Sequence, residues 1–149
     1  MKIIIPMSGY GERFRNFGYK VPKPLIEING IHMIGHVINL FPNEEDIIFI
    51  CNEEHLNKTS YAMEKIIYKY CKSAKIIPIK PHRFGPGHAV LKAKKFIKNK
   101  FFLMLLPDDL IIKQNCSKSM IKIHKRFNSS VMASMNVNKK TVSRWGIYK

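Results

Sequence analysis

An apolar run that opens into a glycine loop, with two cations close behind it, limits what this chain can fold into more than any other feature. Residues 2–25 read KIIIPMSGYGERFRNFGYKVPKPL. Ile3-Ile4-Ile5 is the pattern of a buried strand. Ser8-Gly9-Tyr10-Gly11 follows, then Glu12 and Arg13, and later Pro22-Lys23-Pro24. Glycines let a ligand come close to the backbone and reach its N–H groups. Open α/β sheets place phosphates on a loop fed by a strand in this way. Arg grips phosphate oxygens as a fork and Lys acts as a point charge, so Arg13 and Lys23 suit one shared polyanion. The plain alternative is a tight turn flanked by surface cations.

Two common phosphate fingerprints fail. The dinucleotide loop requires a third glycine where this chain has Phe14, and no stretch offers the P-loop pattern. What remains is G-x-G-x-R followed by P-K-P.

At 149 residues the chain reads as one domain, residues 1–149. Hydrophobic residues make up 46%, enough for a real core. The balance of 26 basic against 10 acidic residues gives a net charge of +16, which attracts polyanions. The lysines are spread along the chain, however. Their densest group, Lys92, Lys94, Lys95, Lys98 and Lys100, reads as a solvated helix face and its exit. No RNA-binding aromatic motif or helix-turn-helix spacing appears, which argues against nucleic acid as partner. Cys51, Cys71 and Cys116 form no CxxC or Cys/His cluster, so reduced thiols in the cytoplasm are expected. Pro6 interrupts the first apolar run, against a signal peptide. No apolar stretch approaches the roughly 18 residues of a membrane span.

Strands are expected over 2–7, 46–51, 75–79, 101–106 and 130–137, with a short extended piece at 25–28 turned by Asn29-Gly30. Helices are expected over 33–41, 59–72 and 118–127, and one opened by Phe84-Gly85-Pro86-Gly87 with Ala89, Val90, Ala93, Phe96 and Ile97 facing inward. Strands alternating with such helices imply an α/β fold, a mostly parallel sheet covered on both faces. Asp108 and Asp109 follow the strand FFLMLL, at the edge where ligands bind. A carboxylate there, opposite Arg13 and Lys23, suits Mg²⁺, which takes oxygen ligands and substrate phosphates. The plain alternative is a pair of turn or N-capping aspartates. His32, His36, His55, His82 and His124 lack ligand spacing.

The combination G-x-G-x-R and P-K-P resembles the signature of sugar-1-phosphate nucleotidyltransferases. GHAV at 87–90, LPDD at 106–109 and SRWG at 143–146 resemble segments of bacterial UTP–glucose-1-phosphate uridylyltransferases, in the family's order. The resemblance implies a Rossmann-like sheet of the glycosyltransferase-A-like type. It also implies synthesis of an NDP-sugar and pyrophosphate from an NTP and a sugar 1-phosphate, most simply UTP and glucose 1-phosphate, with Mg²⁺. By resemblance, Gly9 and Gly11 give backbone contacts to the nucleotide. Arg13 binds the β- and γ-phosphates, and Lys23 binds phosphates around the reacting centre. Gly85 lies in the base-binding loop, Asp108 is the metal ligand, and Gly146 faces the sugar.

Lys80 departs from the pattern, standing where the family often has a base-reading glutamine. Lysine has donors only, so it could reach a carbonyl of uracil or cytosine but not reproduce an amide's paired contacts; UTP is implied by the resemblance alone, and CTP, dTTP or GTP stay open. The family's catalytic domains also run on beyond this length, carrying a second metal-binding aspartate and more of the sugar pocket. A C-terminally truncated domain is therefore expected. A sheet cut at an open edge would favour association between copies. The rival expectation is a non-catalytic nucleotide- or nucleic-acid-binding module.

Overall fold

A computed structural model of the chain describes residues 1–98, 101–108 and 116–144. It divides into two compact units, Met1–Leu110 and Ile111–Lys149.

The first unit is built on strand β1, Lys2–Met7. After it come helix α1 (Glu12–Asn16), a 3₁₀ turn at Lys23–Leu25, and the short strands β2 (Glu27–Ile28) and β3 (Ile31–His32). Next are α2 (Met33–Ile38), β4 (Ile47–Asn52), α3 (Glu53–Asn57) and α4 (Met63–Tyr70). The unit continues with β5 (Lys75–Ile79), α5 (Gly85–Lys92), α6 (Lys94–Ile97) and β6 (Phe102–Met104). β2 and β3 form a hairpin whose turn residues, Asn29 and Gly30, both have positive φ, as a two-residue turn requires.

The remaining strands form one parallel sheet in the order β5-β4-β1-β6. The expectation of a parallel α/β sheet is met. Isoleucine-rich β1 and β4 are central and buried on both faces, which is why their sequences read as unbroken apolar runs. Ile4, Ile48 and Ile50 share one face with Ala89, Val90, Ala93 and Ile97 of the α5–α6 segment. Ile3, Ile5 and Phe49 alternate onto the other face and are equally buried, as are Ile34 and Val37 of α2 and Met63 and Ile67 of α4. Gly35 permits the close approach of α2 to α4, since a Cβ there would lie 2.6 Å from the Tyr70 ring.

Several boundaries differ from expectation. The helix expected over 59–72 is broken: Ala62 adopts a left-handed conformation (φ 46°) between a 3₁₀ turn and α4. The helix expected over 33–41 ends at Ile38 and gives way to turns before Pro42. Gly85 already starts α5, so the second glycine segment is the first turn of a helix rather than a loop before it. The strand over 101–106 narrows to β6, and only Leu103 and Leu105 bury. Phe102 and Met104 are 37% and 42% exposed, because β6 is the last strand in the sheet order and is covered on one face.

In the second unit, α7 (Cys116–Phe127) ends where Asn128 turns left-handed and its N–H reaches the His124 carbonyl at 2.7 Å. The strand expected over 130–137 does not form. Its alternating pattern finds no ladder partner among the described residues, and Met132 and Met135 are 64% and 66% exposed. A strand without a neighbour has no hydrogen bonds to hold it.

Candidate active site

β1 delivers the chain into the glycine loop at the carboxyl edge of the sheet. Ser8 is buried, while Gly9 is exposed and a Cβ built on it would meet nothing within 4 Å. Gly11 is left-handed (φ 66°), and its carbonyl accepts from the Phe14 and Arg15 N–H groups to start α1. A Cβ on Gly11 would lie 3.5 Å from Lys23 Cβ, so the two halves of the N-terminal motif are packed together. Lys23 opens a 3₁₀ turn with Pro24 and Leu25 buried, and the Leu25 N–H bonds the Pro22 carbonyl at 2.8 Å. The prolines and Leu25 thus fix where the Lys23 side chain begins. Its ammonium lies 5.1 Å from the Phe14 ring centroid.

Asp108 comes from the other side. β6 pairs with β1, and the Leu105 N–H bonds the Ile4 carbonyl at 3.0 Å, which carries the chain towards this edge. There Lys23 Nζ forms an ion pair with Asp108 Oδ2, both side chains part-buried. The strand order explains the meeting. The chain passes from β1 outward to β4 and β5, then crosses back to β6 on the other side of β1. Such a switch point opens a crevice at the carboxyl ends of its two strands, and open α/β sheets bind ligands there. Arg13 is exposed on α1, one residue before Phe14, and makes no ion pair among the described residues.

Along the rim, β4 ends at Asn52. Its side chain is fully buried and caps α3 by accepting from the Glu54 N–H at 2.9 Å, leaving its Nδ2 donor without a partner. His55 is 3% exposed, and both ring nitrogens lack partners. Burial and the Arg15 charge push its pKa below the ordinary range. Burial and the facing Glu54 carboxylate raise that of Tyr10. Tyr10 and Glu54 carried no weight in the sequence, although Tyr10 is the bulky residue between the loop's two glycines.

Lys80 and Gly85 lie further along, past β5. Lys80 is exposed and lines a groove of about 410 Å³ with Glu53, His82, His88 and Lys92. Gly85 is left-handed (φ 79°) with open space where a Cβ would be. The His82 and His88 rings pack at 4.6 Å, and burial with the His88 and Lys92 charges lowers the pKa of His82. The structure therefore packs Gly11 against Lys23 and pairs Lys23 with Asp108; Gly9 and Arg13 lie two residues to either side of Gly11 in the chain, and Lys80 and Gly85 follow β5 at the same sheet edge. Gly146 and Asp109 fall outside the described residues.

No group of three or more His, Cys, Asp or Glu side chains among the described residues could cage a metal. Mg²⁺ takes oxygen ligands and arrives with a substrate's phosphates, and Asp108 is a carboxylate at this edge, paired with Lys23.

The family model for nucleotidyl transferases matches residues 2–149. The chain is 35% identical over 105 residues to "Bifunctional protein GlmU" of Methanococcus maripaludis, covering 70% of this chain and 24% of that protein. It is 25% identical to the UTP–glucose-1-phosphate uridylyltransferase of Komagataeibacter xylinus, covering 98% of this chain and 59% of the relative. The chain thus spans about a quarter to three fifths of the length of these relatives. The UTP-bound UGPase of Acinetobacter baumannii shares the fold, with a TM-score of 0.64 at 23% identity over 86% of this chain and 53% of that one. Sheet order, glycine loop and family match agree: the chain belongs to the nucleotidyl transferase family.

Proposed function

We propose that the chain carries the nucleotide-binding part of a sugar-1-phosphate nucleotidyltransferase that uses UTP and glucose 1-phosphate. The observation that carries this reading is the Lys23–Asp108 pair at the β1/β6 switch point, beside the glycine loop. Support for uridylyl transfer comes from the relative named for that activity.

In this reading a phosphate oxygen of the sugar attacks the α-phosphorus of the NTP. A phosphorus–oxygen bond forms there, the bond to the β-phosphate bridging oxygen breaks, and pyrophosphate leaves. The obstacles are repulsion between two anions and alignment for in-line displacement. Gly9 and Gly11 present backbone to the nucleotide. Arg13 grips the β- and γ-phosphates and the departing pyrophosphate. Lys23 leaves Asp108 for phosphate oxygens around the reacting centre. Lys80 and Gly85 hold the base, and Gly146 the sugar. Mg²⁺, held by Asp108, neutralises phosphate charge when bound. No general base is required, because a phosphate monoester is already ionised near neutral pH. The free thiols of Cys51, Cys71 and Cys116 support the cytoplasm as the place of the reaction.

The test is pyrophosphate release from UTP that depends on glucose 1-phosphate. Arg13→Ala and Asp108→Ala should each reduce it by about a hundredfold or more. Release that ignores the sugar phosphate, or unchanged turnover in both variants, would discard the assignment. Tight UTP binding without turnover would instead mark a half-site that needs further chain.

A further inference from the structure

The glycine loop is tied to a neighbouring element by the residue between its glycines. The Tyr10 hydroxyl faces the Glu54 carboxylate, whose oxygens lie 3.3 and 3.2 Å away. The Tyr10 ring meets the His55 ring edge-on at 6.1 Å, and the Arg15 guanidinium lies 5.5 Å from its centroid. Glu54 and His55 belong to α3, which Asn52 caps at the end of β4, and His55 packs in turn against Tyr61 at 5.8 Å. A continuous chain of contacts therefore runs from a buried central strand through α3 to the loop. None of these residues has a role in the chemistry proposed above.

We propose that Tyr10 and Glu54 are positioning residues, holding the glycine loop in the form that accepts the nucleotide's phosphates. This rests on reading that loop as the phosphate cradle. Glycine loses more conformational freedom on ordering than any other residue, so a loop with a glycine on each side of Tyr10 is costly for a ligand to organise. A tie to a capped helix orders it beforehand, which is preorganisation. A carboxylate beside a phosphate site would repel the ligand; the Tyr10 hydroxyl and the Arg15 guanidinium, 5.5 Å from the Tyr10 ring centroid, set a donor and a cation against that repulsion.

UTP affinity measured by calorimetry on the full chain tests this. Tyr10→Phe keeps the ring packing and removes only the hydroxyl. It should raise the Kd by about threefold to tenfold with an unchanged melting temperature. Glu54→Gln keeps an acceptor oxygen without the repelling charge and should bind at least as tightly as the wild type. Glu54→Ala, which loses the same charge and the acceptor, should bind about threefold to tenfold more weakly than Glu54→Gln, and adding Tyr10→Phe to Glu54→Ala should weaken it no further, because both remove one interaction. Should Glu54→Ala fail to fold, Tyr10→Phe and Glu54→Gln decide. If the wild type binds no nucleoside triphosphate, the reading of the loop falls and takes this proposal with it. If the wild type binds and Tyr10→Phe binds equally, or if the two single effects multiply in the double variant, the tie alone is overturned.

Discussion

Gly9 and Gly11 are glycines for different physical reasons, and substitution separates them. Gly11 is left-handed at φ 66° and packs against Lys23, so its lack of a side chain serves the protein itself. Gly9 has neither positive φ nor a neighbour among the described residues within 4 Å of a built Cβ, so nothing in the described fold requires a glycine there, and in the proposed reading its smallness serves the nucleotide. Gly9→Ala should leave the melting temperature within a degree or two and weaken UTP binding by about tenfold, since a methyl group would stand where the phosphates approach. Gly11→Ala should lower stability by ~1–2 kcal/mol through left-handed strain. Denaturation and calorimetry on the two variants check this, and a Gly9→Ala protein that binds UTP as the wild type does would contradict it. At this scale the meeting of Lys23 and Asp108 was legible, because charged types beside a glycine loop and at a strand end point to one edge of the sheet. The Tyr10–Glu54 tie was not, because it joins residues 44 positions apart and depends on how α3 docks.

At the scale of elements, the strands were legible where both faces are buried. Six consecutive buried residues in β4 leave only one reading of IIFICN. The misreadings share a cause in tertiary context. The four-residue recurrence in 59–72 is real, yet Ala62 turns the chain at its start. The alternation in 130–137 fits a strand, yet strands exist through their neighbours. α3 carries a consequence of its own through buried His55. Above its ordinary pKa of about 6.5 the ring is neutral in both the folded and the unfolded chain. Folding lowers its pKa, so as pH falls below about 6.5 the unfolded chain takes up a proton that the folded chain refuses. Stability is therefore full above that value and is lost as pH falls towards the folded pKa, by at most about 1.4 kcal/mol per pH unit from this group. His82, shifted the same way, adds a contribution of the same sign. Urea midpoints at pH 7.5 and 5.5 should differ in that direction, and His55→Leu should shrink the difference. An equal difference in the variant would contradict the assignment to His55.

At the scale of the molecule, the strand order β5-β4-β1-β6 makes a site out of separate pieces of sequence. Lys23 and Asp108 stand 85 residues apart and meet because the chain reverses direction across the sheet at β1. The order of strands could not be read from periodicity, because it depends on which strands pair in space. Lys23 and Asp108 neutralise each other in the free protein, and in the proposed reaction they part to receive a triphosphate and its metal. UTP affinity of the wild type and of Asp108→Asn, each measured in EDTA and in excess Mg²⁺, decides whether they do. Without metal the variant has lost both a repelling carboxylate and a competitor for Lys23, so it should bind UTP about threefold to tenfold more tightly than the wild type, a gain of the size of one weakly screened charge pair. With Mg²⁺ the order should reverse, because the variant has lost the ion's protein ligand. The same ranking of the two proteins in both buffers would contradict the account.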